Sequence, residues 1–143
     1  MTTPVQIIKD HYAASARGDL DGMLAPLAED AAWTEMAGFP YAGTYIGPAA
    51  VADGVFRRIG EDWTGYRADP DHLVSDDSEV VAFGVYSGTY TATGRHMRAR
   101  FVHHWTIHDG KVARFEQYTD TYLVRQAMET ERGGLGDTSV GSQ

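Results

Sequence analysis

Arg98-Ala-Arg-Phe-Val-His-His-Trp-Thr-Ile-His-Asp-Gly-Lys-Val-Ala-Arg-Phe-Glu-Gln-Tyr-Thr-Asp120 is the stretch that decides the fold. Two alternating runs rich in β-branched and aromatic residues flank Asp109-Gly110, which specifies a long antiparallel hairpin. Side chains two apart on a strand point the same way, so His103 shares a face with Phe101 and Trp105. A titratable ring inside an aromatic stripe is either a satisfied core residue or part of a lined cavity. The loop decides what lies opposite it. A three-residue loop with Gly110 left-handed sets Trp105 against Ala113, His103 against Phe115 and Phe101 against Gln117. A two-residue loop instead brings Glu116, Tyr118 and Asp120 onto the face of His103. The first is preferred because it gathers Phe101, Trp105, Ile107 and Phe115 on one side.

Working outward, period-two patterning also covers Trp63 to Val74, Val80 to Thr91, Met97 to His108 and Lys111 to Thr119. Helical signals come before these strands. Thr3 or Pro4 starts a helix to about Arg17, with Ile8, His11, Tyr12 and Ser15 on one face and Gly18 closing it. Asp19 caps a second short helix that carries Leu20, Met23, Leu24 and Leu27 toward the core. A strand follows at Ala31 to Met36, with Trp33 and Glu35 on one face. Gly38 to Gly43 reads as a turn-rich connector, and Gly47-Pro48 opens a third helix from Ala49 to about Ile59. Asp120 caps a final helix, Thr121 to about Glu129. Helices followed by an antiparallel meander indicate an α+β domain, with the helices on one face of a curved antiparallel sheet. The reading is a single domain over residues 1–129 and a flexible tail at 130–143.

The 143 residues suffice for one hydrophobic core. A net charge of -8 and a pI near 5.0 argue against binding nucleic acid or an anionic membrane, since no basic stripe is present to meet phosphates. No cysteine is present, so there is no thiolate chemistry, disulfide or cysteine metal site. The start, Met-Thr-Thr-Pro-Val-Gln, lacks the features of a secretion signal, and the expectation is a soluble, cytoplasmic protein. His104 and His108 lie roughly 13 Å apart on one strand face, too far to chelate one ion, and no metal or other cofactor is expected.

Three polar residues fall on faces expected to point inward: His11, Glu35 and His103. A carboxylate with imidazoles among aromatics is equipment for proton transfer, so these three are the candidate catalytic residues. Trp33 beside Glu35 would desolvate the acid and raise its pKa, which suits a general base near neutral pH. His103 would lose proton affinity for the same reason and serve as a neutral donor to a developing oxyanion. The candidate substrate-binding residues are Tyr12, Trp33, Tyr86, Phe101, Trp105, Phe115, Gln117 and Asp120. Each also has a structural alternative, with Asp120 as a helix cap and His11 as a solvated helix residue.

Ala16-Arg-Gly-Asp-Leu-Asp, Glu29-Asp-Ala-Ala-Trp, Tyr45-Ile-Gly-Pro-Ala-Ala-Val, Thr93-Gly-Arg and Phe101-Val-His-His-Trp-Thr-Ile-His-Asp-Gly-Lys-Val together resemble the nuclear transport factor 2-like superfamily. Within it they resemble the ketosteroid isomerase and SnoaL-like polyketide cyclase branch, from Val5 to about Met128. The resemblance implies a cone-shaped sheet closed by three to four helices. It places Glu35 at the ketosteroid isomerase base, His11 at its oxyanion-hole tyrosine and His103 at its protonated aspartate, all three differing in residue type. Similarity to limonene epoxide hydrolase puts Gly84-Val85-Tyr86 in place of its Arg-x-Asp pair and Gln117 in place of its second aspartate, which disfavours epoxide hydrolysis. His103 also resembles the cyclase histidine. The implied function is cofactor-free acid/base chemistry, of isomerase, cyclase or dehydratase type, on an apolar carbonyl-bearing molecule of polyketide, terpenoid or steroid size. The alternative is a non-catalytic ligand-binding or dimerisation module. A homodimer is expected through the outer sheet face, formed by His104, Thr106, Val112, Arg114, Glu116 and Tyr118.

Overall fold

Thr3 starts the first helix by accepting the Gln6 N–H at 3.2 Å, and Pro4 fills a position that needs no backbone donor, so α1 runs Pro4–Ala16. Asp19 accepts the Gly22 N–H at 2.9 Å and caps α2, Leu20–Leu24. Proline at position 26 ends the helix early. Leu27, expected on α2, is instead the first residue of β1, Leu27–Glu35. This computed structural model describes residues 2–130, and all but the first residue of the expected tail lies outside them.

After the connector the chain turns back into β2, Gly43–Ile46, a strand that the sequence reading did not assign. Next come α3, Pro48–Val51, a π-helical segment, Ala52–Phe56, and α4, Arg57–Asp62, continuing one into the next beyond the expected helix end. Four long strands and a helix complete the element order: β3 Trp63–Ser75, β4 Glu79–Tyr90, β5 Arg95–His108, β6 Lys111–Thr119 and α5 Thr121–Met128.

The strands form one curved, unclosed sheet in the order β2-β1-β6-β5-β4-β3. The α+β class holds, and the expectation of a wholly antiparallel sheet is corrected at one seam. β1 and β6 pair in parallel, Trp33 beside Phe115, because strands so distant in the chain are not bound by hairpin geometry.

The hairpin turn contains two residues, not three: His108 pairs with Lys111, and Asp109 and Gly110 both take left-handed φ values, 50° and 75°. Ile107 pairs with Val112 but Thr106 pairs with Arg114, leaving Ala113 as the extra residue of a bulge. Beyond the bulge, Trp105 faces Phe115, His103 faces Gln117 and Phe101 faces Thr119. The expected register is therefore off by two residues. Two is the period of a strand, so the expected side chains still share the inner face. The bulge also turns Val112 inward, to 0% exposure, and removes it from the expected outer surface.

The helices cover the inner face, where Trp33 stacks on Phe115 with centroids 3.8 Å apart and Trp105 meets Phe115 at 4.6 Å. Gly84 of β4 lies beneath Phe101. A Cβ there would fall 2.5 Å from Phe101 Cζ and 2.5 Å from the Asp69 carbonyl oxygen. Gly84→Ala is expected to cost about 1–3 kcal/mol by overpacking, and urea denaturation of the variant checks this.

Candidate active site

Glu35 ends β1 and is 4% exposed. The strand alternation that puts it beside Trp33 lets the Trp33 indole N–H donate to Oε2 at 2.8 Å. Burial nevertheless dominates and pushes the Glu35 pKa up from 4.5 to about 8, against the pull of Trp33 and the Gln117 amide. The carboxyl group is thus mostly uncharged at neutral pH.

His103 projects from β5 into a network of side chains. Its Nδ1 lies 2.6 Å from the Tyr12 hydroxyl of α1, and its Nε2 lies 2.5 Å from the Tyr86 hydroxyl of β4. Burial, and then the neighbouring His11, hold the imidazole well below its ordinary pKa, so the ring is neutral. Trp105 donates its indole N–H to the Tyr12 hydroxyl at 3.1 Å. Gln117 accepts the Met36 N–H on Oε1 at 3.2 Å, which fixes the amide orientation, and donates from Nε2 to the Tyr86 hydroxyl at 3.0 Å. Burial raises the pKa values of Tyr12 and Tyr86, keeping both phenols protonated.

His11 behaves differently from the expectation. Its Nδ1 lies 3.0 Å from the Met23 carbonyl, which can only accept, so Nδ1 carries the ring proton. Burial lowers its pKa to about 4, leaving Nε2 bare. A bare nitrogen is an acceptor, and His11 as a donor to an oxyanion is corrected on that ground.

These groups border a cavity of about 450 Å³, a volume within the usual range for small-molecule sites. His11, Tyr12, Trp33, Glu35, Tyr86, His103 and Phe115 all lie on its wall, with Leu20, Met23 and Ile59 from the helices. Phe101, Trp105 and Gln117 stand behind the wall. Phe101 stacks on His103 at 4.0 Å, and the other two hold the phenols. Asp120 is removed from the expected binding set: it is exposed and caps α5 by accepting the Leu123 N–H at 3.1 Å.

Tyr66 of β3 lines the same cavity and was missed in the sequence. Its hydroxyl is buried with no hydrogen-bond partner among the described residues, and its ring lies 5.5 Å from Tyr86. Gly65 takes a left-handed φ of 66°, and the pairing with β4 shifts between Thr64 and Arg67, so simple alternation does not give the face of Tyr66. No helix among the described residues is long and apolar enough to cross a membrane.

Comparison with known proteins places the chain in a family. The model of the SnoaL-like domain matches residues 8–115. Patulin biosynthesis cluster protein F of Penicillium expansum is 30% identical over 99 residues, 64% of this chain and 47% of that protein, so the chain spans about half the length of this curated relative. An NTF2-like protein from Burkholderia thailandensis has a solved structure that is 50% identical, with a TM-score of 0.88 over 90% of this chain and 99% of that one. TerC, co-crystallised with polyporic acid, is 27% identical with a TM-score of 0.79 over 88% of this chain and 98% of its own. With the family model matching most of its length, this chain belongs to the SnoaL-like domain family of the NTF2-like superfamily.

Proposed function

We propose that the chain is a cofactor-free acid/base catalyst for an apolar, carbonyl-bearing molecule of polyketide, terpenoid or steroid size. The observation that carries this reading is that the Glu35 carboxyl and the Tyr12, His103 and Tyr86 network border one cavity. With a pKa of about 8, Glu35 exchanges protons near neutral pH. In its ionised form it takes a proton from the carbon next to the carbonyl, whose C–H electron pair moves into the enolate. The resulting acid then returns the proton to carbon. The network supplies hydrogen bonds to the oxygen that gains charge. The relatives support small-molecule chemistry: one is named for a patulin biosynthesis cluster, and another was crystallised with polyporic acid.

One observation favours a second reading, a ligand carrier: His11, His103 and Gln117 already have partners within the protein. Exchange of the methyl protons of methyl naphthyl ketone in heavy water, followed by NMR, separates the two. Catalysis predicts faster exchange with the protein, falling roughly a hundred- to ten-thousand-fold in Glu35→Gln. A folded Glu35→Gln chain as fast as the unaltered one removes Glu35 from the role, and binding of the ketone without any acceleration establishes the carrier.

A further inference from the structure

We infer that Tyr86 presents its own hydroxyl proton to an acceptor oxygen of the bound molecule, as the end of a one-way hydrogen-bond chain from Trp105 through Tyr12 and His103. The inference rests on the proposed reading of the cavity and follows from counting protons. A neutral imidazole has one N–H and one bare nitrogen. His103 meets a phenol at each nitrogen, so one tyrosine donates to the ring and the other receives from it. Tyr12, His103 and Tyr86 hold three protons for two contacts. One proton is left over, on whichever phenol receives.

The two phenols already accept one bond each, Tyr12 from Trp105 and Tyr86 from Gln117. What separates them is their surroundings. Tyr12 is flanked by His11, Trp105 and His103. Tyr86 lies beside Tyr66, whose buried hydroxyl has no partner among the described residues, and shares the cavity wall with Glu35. The bare Nε2 of His11 makes no hydrogen bond with Tyr12, so the spare proton has no acceptor within reach at that end among the described residues, whereas the Tyr86 end holds the unpartnered Tyr66 hydroxyl. In this direction Tyr12 donates to Nδ1, the Nε2–H donates to Tyr86, and Gln117 adds a second donor to the same phenol oxygen. Two donors on that oxygen polarise its O–H and strengthen the outgoing bond.

The ligand class follows from the same count. Tyr86 offers a proton, which suits a ketone, quinone or enolate oxygen. Tyr86 would touch the ligand, while Tyr12 and His103 act through it as positioning residues.

The test is the His103 tautomer in histidine-labelled protein by nitrogen-15 NMR, together with binding of methyl naphthyl ketone against its hydrocarbon counterpart, isopropenylnaphthalene. The expected tautomer has the proton on Nε2 and a bare Nδ1. Tyr86→Phe is expected to reduce the preference for the ketone about tenfold, with the carbonyl stretch of the bound ketone moving toward its value in apolar solvent. Tyr122→Phe, at an exposed phenol of α5 outside the cavity, is expected to leave that preference unchanged. A proton on Nδ1, an unchanged preference and stretch in Tyr86→Phe, or no binding of the ketone to the unaltered chain would each overturn the inference. A failure of the proton-carrier reading shows as exchange undiminished in Glu35→Gln, whereas a failure of this inference shows in the His103 tautomer and in the Tyr86→Phe carbonyl stretch.

Discussion

At about pH 8 the Glu35→Gln chain is expected to be more stable than the unaltered chain by about 3–5 kcal/mol, with the difference vanishing near pH 4. The folded carboxyl has its pKa raised from 4.5 to about 8. Between those values the unfolded chain has released the proton that the folded chain still holds. Stability from this group is therefore complete below pH 4.5 and is lost as pH rises toward 8. Glutamine mimics the uncharged acid and escapes the loss, and its carbonyl can still accept the Trp33 N–H. The buried histidines work in the opposite sense. His11, lowered from 6.5 to about 4, and His103, held well below its ordinary value by burial, stabilise the fold above pH 6.5 and withdraw that support as pH falls. The three groups together place the stability maximum at about pH 6.5. Urea denaturation on both sides of that value checks the maximum, and stability rising steadily through pH 8 would contradict it.

His103→Leu is expected to cost about 2–5 kcal/mol, because it leaves two buried phenols each short of a partner. Tyr12 and Tyr86 are 6% and 5% exposed, so solvent replaces little of what is lost. His103→Gln, which retains a donor and an acceptor, is expected to recover about half of that cost. The comparison separates hydrogen bonding from packing. Leucine fills the space beside Phe101 and Phe115 well, so a small cost for His103→Leu would show that stacking, not the network, holds the residue.

Much of the fold was legible because strand parity is a strong local signal. It put Trp33 with Glu35, and His103 with Phe101 and Trp105, before any partner strand was known. Parity gives a face and not a neighbour. The two-residue turn and the Ala113 bulge each shift the pairing, and together they leave the face intact while moving every cross-strand partner. β2 stayed hidden because four residues beside a Gly- and Pro-rich turn show no period. The parallel seam of β1 with β6 depends on contacts across most of the chain, which local patterning does not encode.

At the candidate site, sequence reasoning brought Glu35, His11 and His103 to one cavity, since each lies on an inward face of its own element. It read His103 as a neutral donor from its aromatic neighbours, and the family resemblance set His11 at an oxyanion-hole position. The structure shows why that assignment fails for His11: a backbone carbonyl at the end of α2 takes its only proton. The partners of His103 come from α1 and β4, and no spacing within one element reports them. Asp120 showed both a capping signal and an acid's chemistry, and the capping geometry prevailed.

The most direct measurement is a crystal structure of the chain with methyl naphthyl ketone. The account predicts the ketone oxygen at hydrogen-bond distance from the Tyr86 hydroxyl, roughly 2.7 Å, with the methyl carbon turned toward the Glu35 carboxyl. A ketone bound outside this cavity, or one inside it with its oxygen turned away from Tyr86 and its methyl group away from Glu35, would contradict it.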